Sequence, residues 1–203
     1  MKTRLAHTLG NEAAAALASA MFLDVWRSVT GCFGVQPILA TTEFRNFPID
    51  IRDENVWLQG EGDLGARLER IIRRSLREAT AAIAVGADSP ILTSSHILRA
   101  VEALDVNDAV IGRCIDGGFY LLGLRRCPLG LLSELPWSTS TTSQAVMKRL
   151  NDNDFKIAQM EILFDVDVMD DLKQLLENIS HQPSLAPATW AWHSANKSRL
   201  PFT

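Results

Sequence analysis

An open α/β sheet with helices on both faces is predicted for this chain by three observations. Short apolar runs alternate with longer stretches of helical periodicity. The runs end in turns rich in Gly, Pro or Asp, as strands do where they enter loops. Three of these turns are acidic: Val85-Gly86-Ala87-Asp88-Ser89-Pro90, Asp116-Gly117-Gly118 and Asp165-Val166-Asp167. Carboxylates gathered at the carboxyl edge of such a sheet can hold a divalent metal against phosphate.

Taken in order, Asn11 reads as the N-cap of a first helix whose Leu17, Met21, Val25 and Val29 form one stripe ending near Gly31. Val35 to Thr41 reads as a buried strand, residues 42–55 as a connection containing Pro48, and Val56 to Leu58 as a second brief strand. The segment Gln59-Gly60-Glu61-Gly62-Asp63-Leu64-Gly65 leads into a helix with Leu64, Leu68, Ile71, Ile72 and Leu76 on its apolar face. Ala81 to Val85 is a continuous apolar strand, followed by a helix from about Ser94 to Leu104. Strands are expected over residues 109–115 and 119–124, a helix over 142–150, an extended segment over 156–163 and a helix over 170–179. From His181 onward Pro, Ala and Ser dominate, which predicts a partly ordered tail over 181–203 behind a domain over 1–180. Trp190 and Trp192 could dock that tail.

Composition narrows the function classes. The chain has 203 residues, 47% of them hydrophobic and 22% charged, enough for one sizeable core. A net charge of −4 supplies no general basic field, so nucleic acid is not an expected partner. Cys32, Cys114 and Cys127 are odd in number and lack a C-x-x-C pair, so neither a disulfide framework nor a zinc site is expected. The four histidines are scattered and receive no role. The apolar stretch from Ala13 ends at Asp24, short of the roughly 18 residues a membrane span requires, and Gly10-Asn11-Glu12 breaks any leader-like run. A reduced, cytoplasmic setting is the expectation.

Each candidate site has a bland alternative. Asp88 ends an apolar strand ahead of Pro90 and is assigned to metal, although Asp before Ser-Pro also caps turns. Asp165 and Asp167 flank Val166 in an extended segment and are read as facing apart. Only Asp167 is therefore assigned to metal, and the other carboxylate to capping the next helix. The glycines of Asp116-Gly117-Gly118 permit close ligand approach, or make a hairpin turn. The glycine-rich segment is assigned to the nucleotide base or ribose, through Gln59, Gly60, Gly62 and Asp63. Lys2 and Arg4 suit a diphosphate. Trp137 offers a sugar-stacking wall, and the hydroxyls of residues 138–142 offer helix caps.

These motifs together resemble the bacterial nucleotide-diphosphosugar-transferase-like proteins that include predicted glycosyltransferases of the arsenosugar-biosynthesis type. The resemblance rests on Lys2 to Ala6, Gln59 to Leu68, Val85 to Pro90, Asp116 to Leu124 and Trp137-Ser138-Thr139, and covers about residues 1–178. It implies a single-domain, Rossmann-like, three-layer GT-A-type fold with a mostly parallel central sheet. It also implies a divalent cation, Mg2+ or Mn2+, at Asp88 and Asp167, with Asp116 acting on the acceptor beside Gly117, Gly118 and Trp137. The implied activity is glycosyl transfer from a nucleotide sugar to a small-molecule acceptor. Nucleotidyl transfer from a nucleoside triphosphate, releasing pyrophosphate, and a catalytically inactive binding domain are the alternatives; a homo-oligomer is left open. Family members usually carry a hydrophobic strand and a Pro-Gly turn ahead of Lys-Thr-Arg. The expectation is therefore that the natural start lies about 10 to 20 residues upstream of Met1. The family's proline-containing approach to Asp-Gly-Gly is here Gly112-Arg113-Cys114-Ile115.

Overall fold

The computed structural model describes residues 3–43, 47, 49 and 51–202. In chain order its elements are α1 (Thr3–Leu9), α2 (Asn11–Thr30), β1 (Leu39–Thr41), β2 (Val56–Leu58), α3 (Leu64–Ser75), β3 (Ala82–Val85), α4 (Ser94–Val106), β4 (Ala109–Arg113), β5 (Phe119–Leu124), α5 (Thr142–Asp152), β6 (Ile157–Gln159), α6 (Met169–Ser180) and α7 (Pro187–Asn196). The chain forms two compact units, one of Met1–Val35, Ala87–Ile97 and Phe164–Thr203, the other of Gln36–Gly86 and Leu98–Leu163.

The first unit is built by helices. Leu5, Ala14, Leu17 and Met21 from α1 and α2 pack with Val166, Leu172, Leu175 and Ile179 around α6, and with Trp192 of α7. The periodicity behind the predicted stripe places Leu17, Met21 and Val25 inside, while Gly10, with φ 81°, takes the N-cap position assigned to Asn11. In the segment expected either as a partly ordered tail or as one docked by Trp190 and Trp192, the chain forms α7. Residues 183–185 and 197–199 form short 3-10 turns around α7, and Ala186, Trp192 and Leu200 are buried in the helical core. Trp192 is the anchor, 7% exposed. The composition of the segment suggested weak order, but Trp192 together with Ala186 and Leu200 buries apolar area that offsets part of the ordering cost of the short helix.

Asp24 completes that docking. It is 3% exposed on the buried face of α2, and its two carboxylate oxygens accept the N–H groups of Ala188 and Thr189 at 2.8 Å each. These are donors at the start of α7, which have no partner inside their own helix. A remote carboxylate therefore caps α7, in place of a local Ser or Asp.

The second unit holds the strands. β1 and β2 form a parallel pair, and a mixed sheet runs in the order β3-β5-β4-β6. In it β4 and β6 are parallel, while β5 runs antiparallel to both β3 and β4. β1 is shorter than the predicted 35–41 strand: its pairing starts at Leu39, after Pro37, which has no N–H to give a ladder. β4 and β5 are buried nearly throughout, and Ile111, Leu122 and Leu124 pack with Ile72 of α3 and Val146 and Leu150 of α5. The arginines of α3 are mostly engaged by the structure itself. Arg74 lies 3.8 Å over the Trp57 ring, Arg73 approaches Glu69 at 3.9 Å, and Arg70 binds loop carbonyls. Among the described residues, no helix is long and apolar enough to cross a membrane.

Candidate functional site

In the first unit three carboxylates converge. The strand β3 ends at Val85, and the chain turns through Asp88, Ser89 and Pro90, with the N–H of Leu92 donating to the Ser89 carbonyl at 2.9 Å. The N–H of Val166 donates to the Asp88 carbonyl at 3.1 Å, which lays the 165–167 segment against this turn. As a result, oxygens of Asp88, Asp165 and Asp167 all lie within 4.8 Å of one another. The expectation that Asp165 and Asp167 face apart is corrected. Residues two apart in an extended chain share a face. Val166 takes the opposite face and is fully buried in the helical core.

Capping is also reassigned. The start of α6 is held by Asp171, whose Oδ2 accepts the N–H groups of Asp167 at 2.8 Å and Val168 at 2.9 Å. Three half-buried carboxylates are an all-oxygen, anionic donor set, which matches the ligand preference of a hard divalent cation. Like charges this close repel, and a cation between them turns that repulsion into attraction. Of the cations assigned to phosphate, Lys2 lies outside the described residues and Arg4 is exposed on α1.

The second unit carries the other candidates. Asp116 and the two glycines form the β4–β5 hairpin turn, so the bland reading of that motif is realised in the backbone. Asp116 is exposed and its Oδ1 accepts the Gly118 N–H at 2.8 Å, which fixes the orientation of the carboxylate. Gly117 has φ 93°, and a Cβ there would overlap the carbonyl of Ser140. The glycine is needed because the turn packs directly on the approach to α5, where the Ser143 N–H donates to the Gly117 carbonyl at 2.9 Å. Trp137 is half-buried, its ring edge-on to Phe119 at 6.2 Å and its indole nitrogen against Gly65, where a side chain would not fit. The following hydroxyls fold the loop back on itself: Thr139 and Thr142 both donate to the Pro136 carbonyl, at 2.9 and 2.7 Å.

The glycine-rich segment is pinned to α3. Asp63 is the N-cap, its Oδ1 accepting the Ala66 N–H at 2.8 Å. Arg70 donates to the carbonyls of Gln59 and Glu61, and its guanidinium fills the space a side chain at Gly60 would need. The Gln59 amide donates to the Ala40 carbonyl at 3.2 Å, tying the loop to β1. Glu69, 6% exposed, accepts the N–H groups of Gly130 and Leu132 at 2.8 and 3.0 Å. Burial, and next the Glu161 carboxylate, push the Tyr120 phenol up to about 12. Burial, and next Glu69, push the Cys127 thiol up to about 12. Neither group ionises near neutral pH, so neither serves as a base there.

Sequence reasoning missed Asp24, Glu69 and Asp165. The usable signals were an acid on an otherwise apolar helix stripe for the first two, and the two-residue spacing itself for the third.

Comparisons with known proteins place the fold. A Desulfovibrio desulfuricans G20 protein described as a nucleotide-diphospho-sugar transferase superposes with a TM-score of 0.86 at 21% identity, over 98% of this chain and 90% of that one. A CMP:2-keto-3-deoxy-manno-octonic acid synthetase complexed with CTP gives 0.53 at 15% identity, over 80% and 88% of the two chains. The bifunctional IspDF of Campylobacter jejuni gives 0.52 at 12% identity, over 76% of this chain and 46% of that one. These likenesses establish a mixed α/β fold of the kind found in that transferase and that synthetase. No curated protein matches the chain. Residues 35–139, just over half of the sequence, match one family, and the chain belongs to it: DUF2064, an uncharacterized protein conserved in bacteria.

Proposed function

We propose that this protein is a divalent-cation-dependent transferase that moves a glycosyl group from a nucleotide sugar to a small acceptor. The observation that carries the reading is the convergence of Asp88, Asp165 and Asp167 just beyond an apolar strand. The cation held there, Mg2+ or Mn2+, would neutralise charge on the departing nucleoside diphosphate. Asp165 joins Asp88 and Asp167 as a ligand in this proposal. Arg4, exposed in the same unit, and Lys2 are assigned to the same diphosphate charge.

In the second unit the loop Gln59 to Asp63 is assigned to the base and ribose, through backbone groups and the rim of Gly60 and Gly62. Asp63 contributes by fixing the loop, since its carboxylate is committed to the α3 cap. Asp116 is assigned to orienting or deprotonating the acceptor hydroxyl. Its one hydrogen bond to Gly118 holds it without burying it, as a base that must meet a substrate requires. Gly117, Gly118 and Trp137 shape the acceptor side.

The test is a thermal-shift screen of nucleotides and nucleotide sugars with and without Mg2+ or Mn2+, followed by product analysis. Ligands that bind the native state raise its melting temperature. Release of a nucleoside diphosphate supports glycosyl transfer, and release of pyrophosphate assigns nucleotidyl transfer instead. A flat screen with both metals would leave a non-catalytic binding domain. Asp116→Asn should lower turnover and leave nucleotide affinity unchanged.

A further inference from the structure

Arg67 stands apart from the other arginines on and just after α3. Arg70 spends its guanidinium on the Gln59 and Glu61 carbonyls, Arg73 approaches Glu69, Arg74 stacks on Trp57 and Arg77 is exposed to water. Arg67 is half-buried, and its Nε is shut off from solvent with no hydrogen-bond partner. An N–H donor that is desolvated and unpartnered is a standing cost to the fold. Asp63, four residues earlier on the helix, is the natural partner, but its carboxylate takes the Ala66 N–H.

Helical spacing puts Arg67 on the stripe shared by Asp63, Arg70 and Arg74. That stripe faces the glycine-rich loop, as the bonds from Arg70 to Gln59 and Glu61 and the Arg74–Trp57 contact show. The loop itself folds onto the helix, with Gly62 held so close to Ala66 that a side chain would collide. Deepening the reading given under Proposed function, we infer that Arg67 of α3 is a phosphate-binding residue beside the glycine-rich loop, its guanidinium, with the unpartnered Nε, completed by a phosphate of the bound nucleotide. The fork geometry of Arg suits phosphate oxygens, and retaining an unsatisfied buried donor costs stability that a bound ligand recovers.

The experiment compares the full-length wild type with Arg67→Met and Arg67→Lys, by melting without ligand and by calorimetric titration. The titrants are nucleoside diphosphates, the matching nucleosides and inorganic pyrophosphate. Arg67→Met should melt at or above the wild-type temperature without ligand. It should bind the nucleoside diphosphate at least about tenfold more weakly and the nucleoside equally well. Arg67→Lys should fall between, with the diphosphate affinity still salt-dependent. If Arg67→Met melts lower with diphosphate affinity unchanged, Arg67 is structural and the inference is overturned. It is equally overturned if nucleoside and diphosphate affinities fall together. If the wild type binds neither nucleotide nor nucleoside, the proposed function fails and the pyrophosphate titration decides for Arg67. Loss of at least tenfold in the Met variant then supports the inference, and no wild-type binding of pyrophosphate overturns it.

Discussion

In the second unit Asp63, Glu69, Asp108 and Asp116 each accept a backbone N–H, from Ala66, from Gly130 and Leu132, from Lys156 and from Gly118 respectively. In the first unit Asp24 and Asp171 do the same for α7 and α6, but Asp88, Asp165 and Asp167 bring their carboxylates together. All of these acids sit at turns, helix starts or on helix faces, so local context does not tell the two uses apart. Convergence from separate segments does. An acid that accepts a backbone N–H supplies an orphan donor with a partner, whereas three carboxylates within 4.8 Å of one another oppose each other electrostatically and suit a cation.

The largest effect expected from that contrast is at the trio. Asp88→Asn or Asp165→Asn should weaken Mg2+-dependent nucleotide binding by more than about 100-fold, beyond the 10–100-fold typical of residues that merely support a metal ligand. Titrations with and without Mg2+ check this, and a wild-type response in either variant would break the comparison.

Asp24→Ala tests the opposite use of an acid in the same unit. Leaving two N–H groups of α7 without their charged acceptor should cost about 3 kcal/mol. In a chain of this size that lowers the melting temperature by roughly 6–12 °C. Metal binding should be unchanged, and fluorescence should report exposure of Trp192.

Gly117→Ala should cost about 2 kcal/mol or more, since the left-handed backbone and the Ser140 carbonyl both resist a side chain. Denaturant unfolding reads the loss. Asp63→Ala should cost about 1 kcal/mol, the value of an N-cap, with the Mg2+ response intact. Loss of that response would move Asp63 from the structural acids to the functional ones.

The smallest effect at neutral pH is at Tyr120. Its folded value of about 12 exceeds the ordinary 10.0, so the unfolded chain releases the phenolic proton first. Stability should therefore fall as pH rises from 10 toward 12, and be untouched below. Tyr120→Phe should flatten that alkaline slope, at the expense of the hydrogen bond to the Glu161 carbonyl. Unfolding curves at pH 9, 10.5 and 11.5, chosen as roughly bracketing points, measure it.

The sequence by itself determined most of the elements and the acidic turns. Leu17, Met21 and Val25 announced α2, Ala81 to Val85 announced β3, and Asp88 was identifiable at that strand's end. These signals are local, because periodicity and turn chemistry depend on residues a few positions apart. What tertiary structure decided lies between segments distant in the chain. The antiparallel pairing of β5 with β3, the docking of α7 onto Asp24 and the pairing of the Val166 N–H with the Asp88 carbonyl are all of this kind. No local pattern encodes which strand finds which edge, or which carboxylates meet, since those outcomes minimise exposed apolar area and unpaired backbone groups over the whole chain at once. Asp165 shows the division most clearly: its spacing from Asp167 set the shared face, but only the backbone bond to Asp88 brought that face to a third carboxylate.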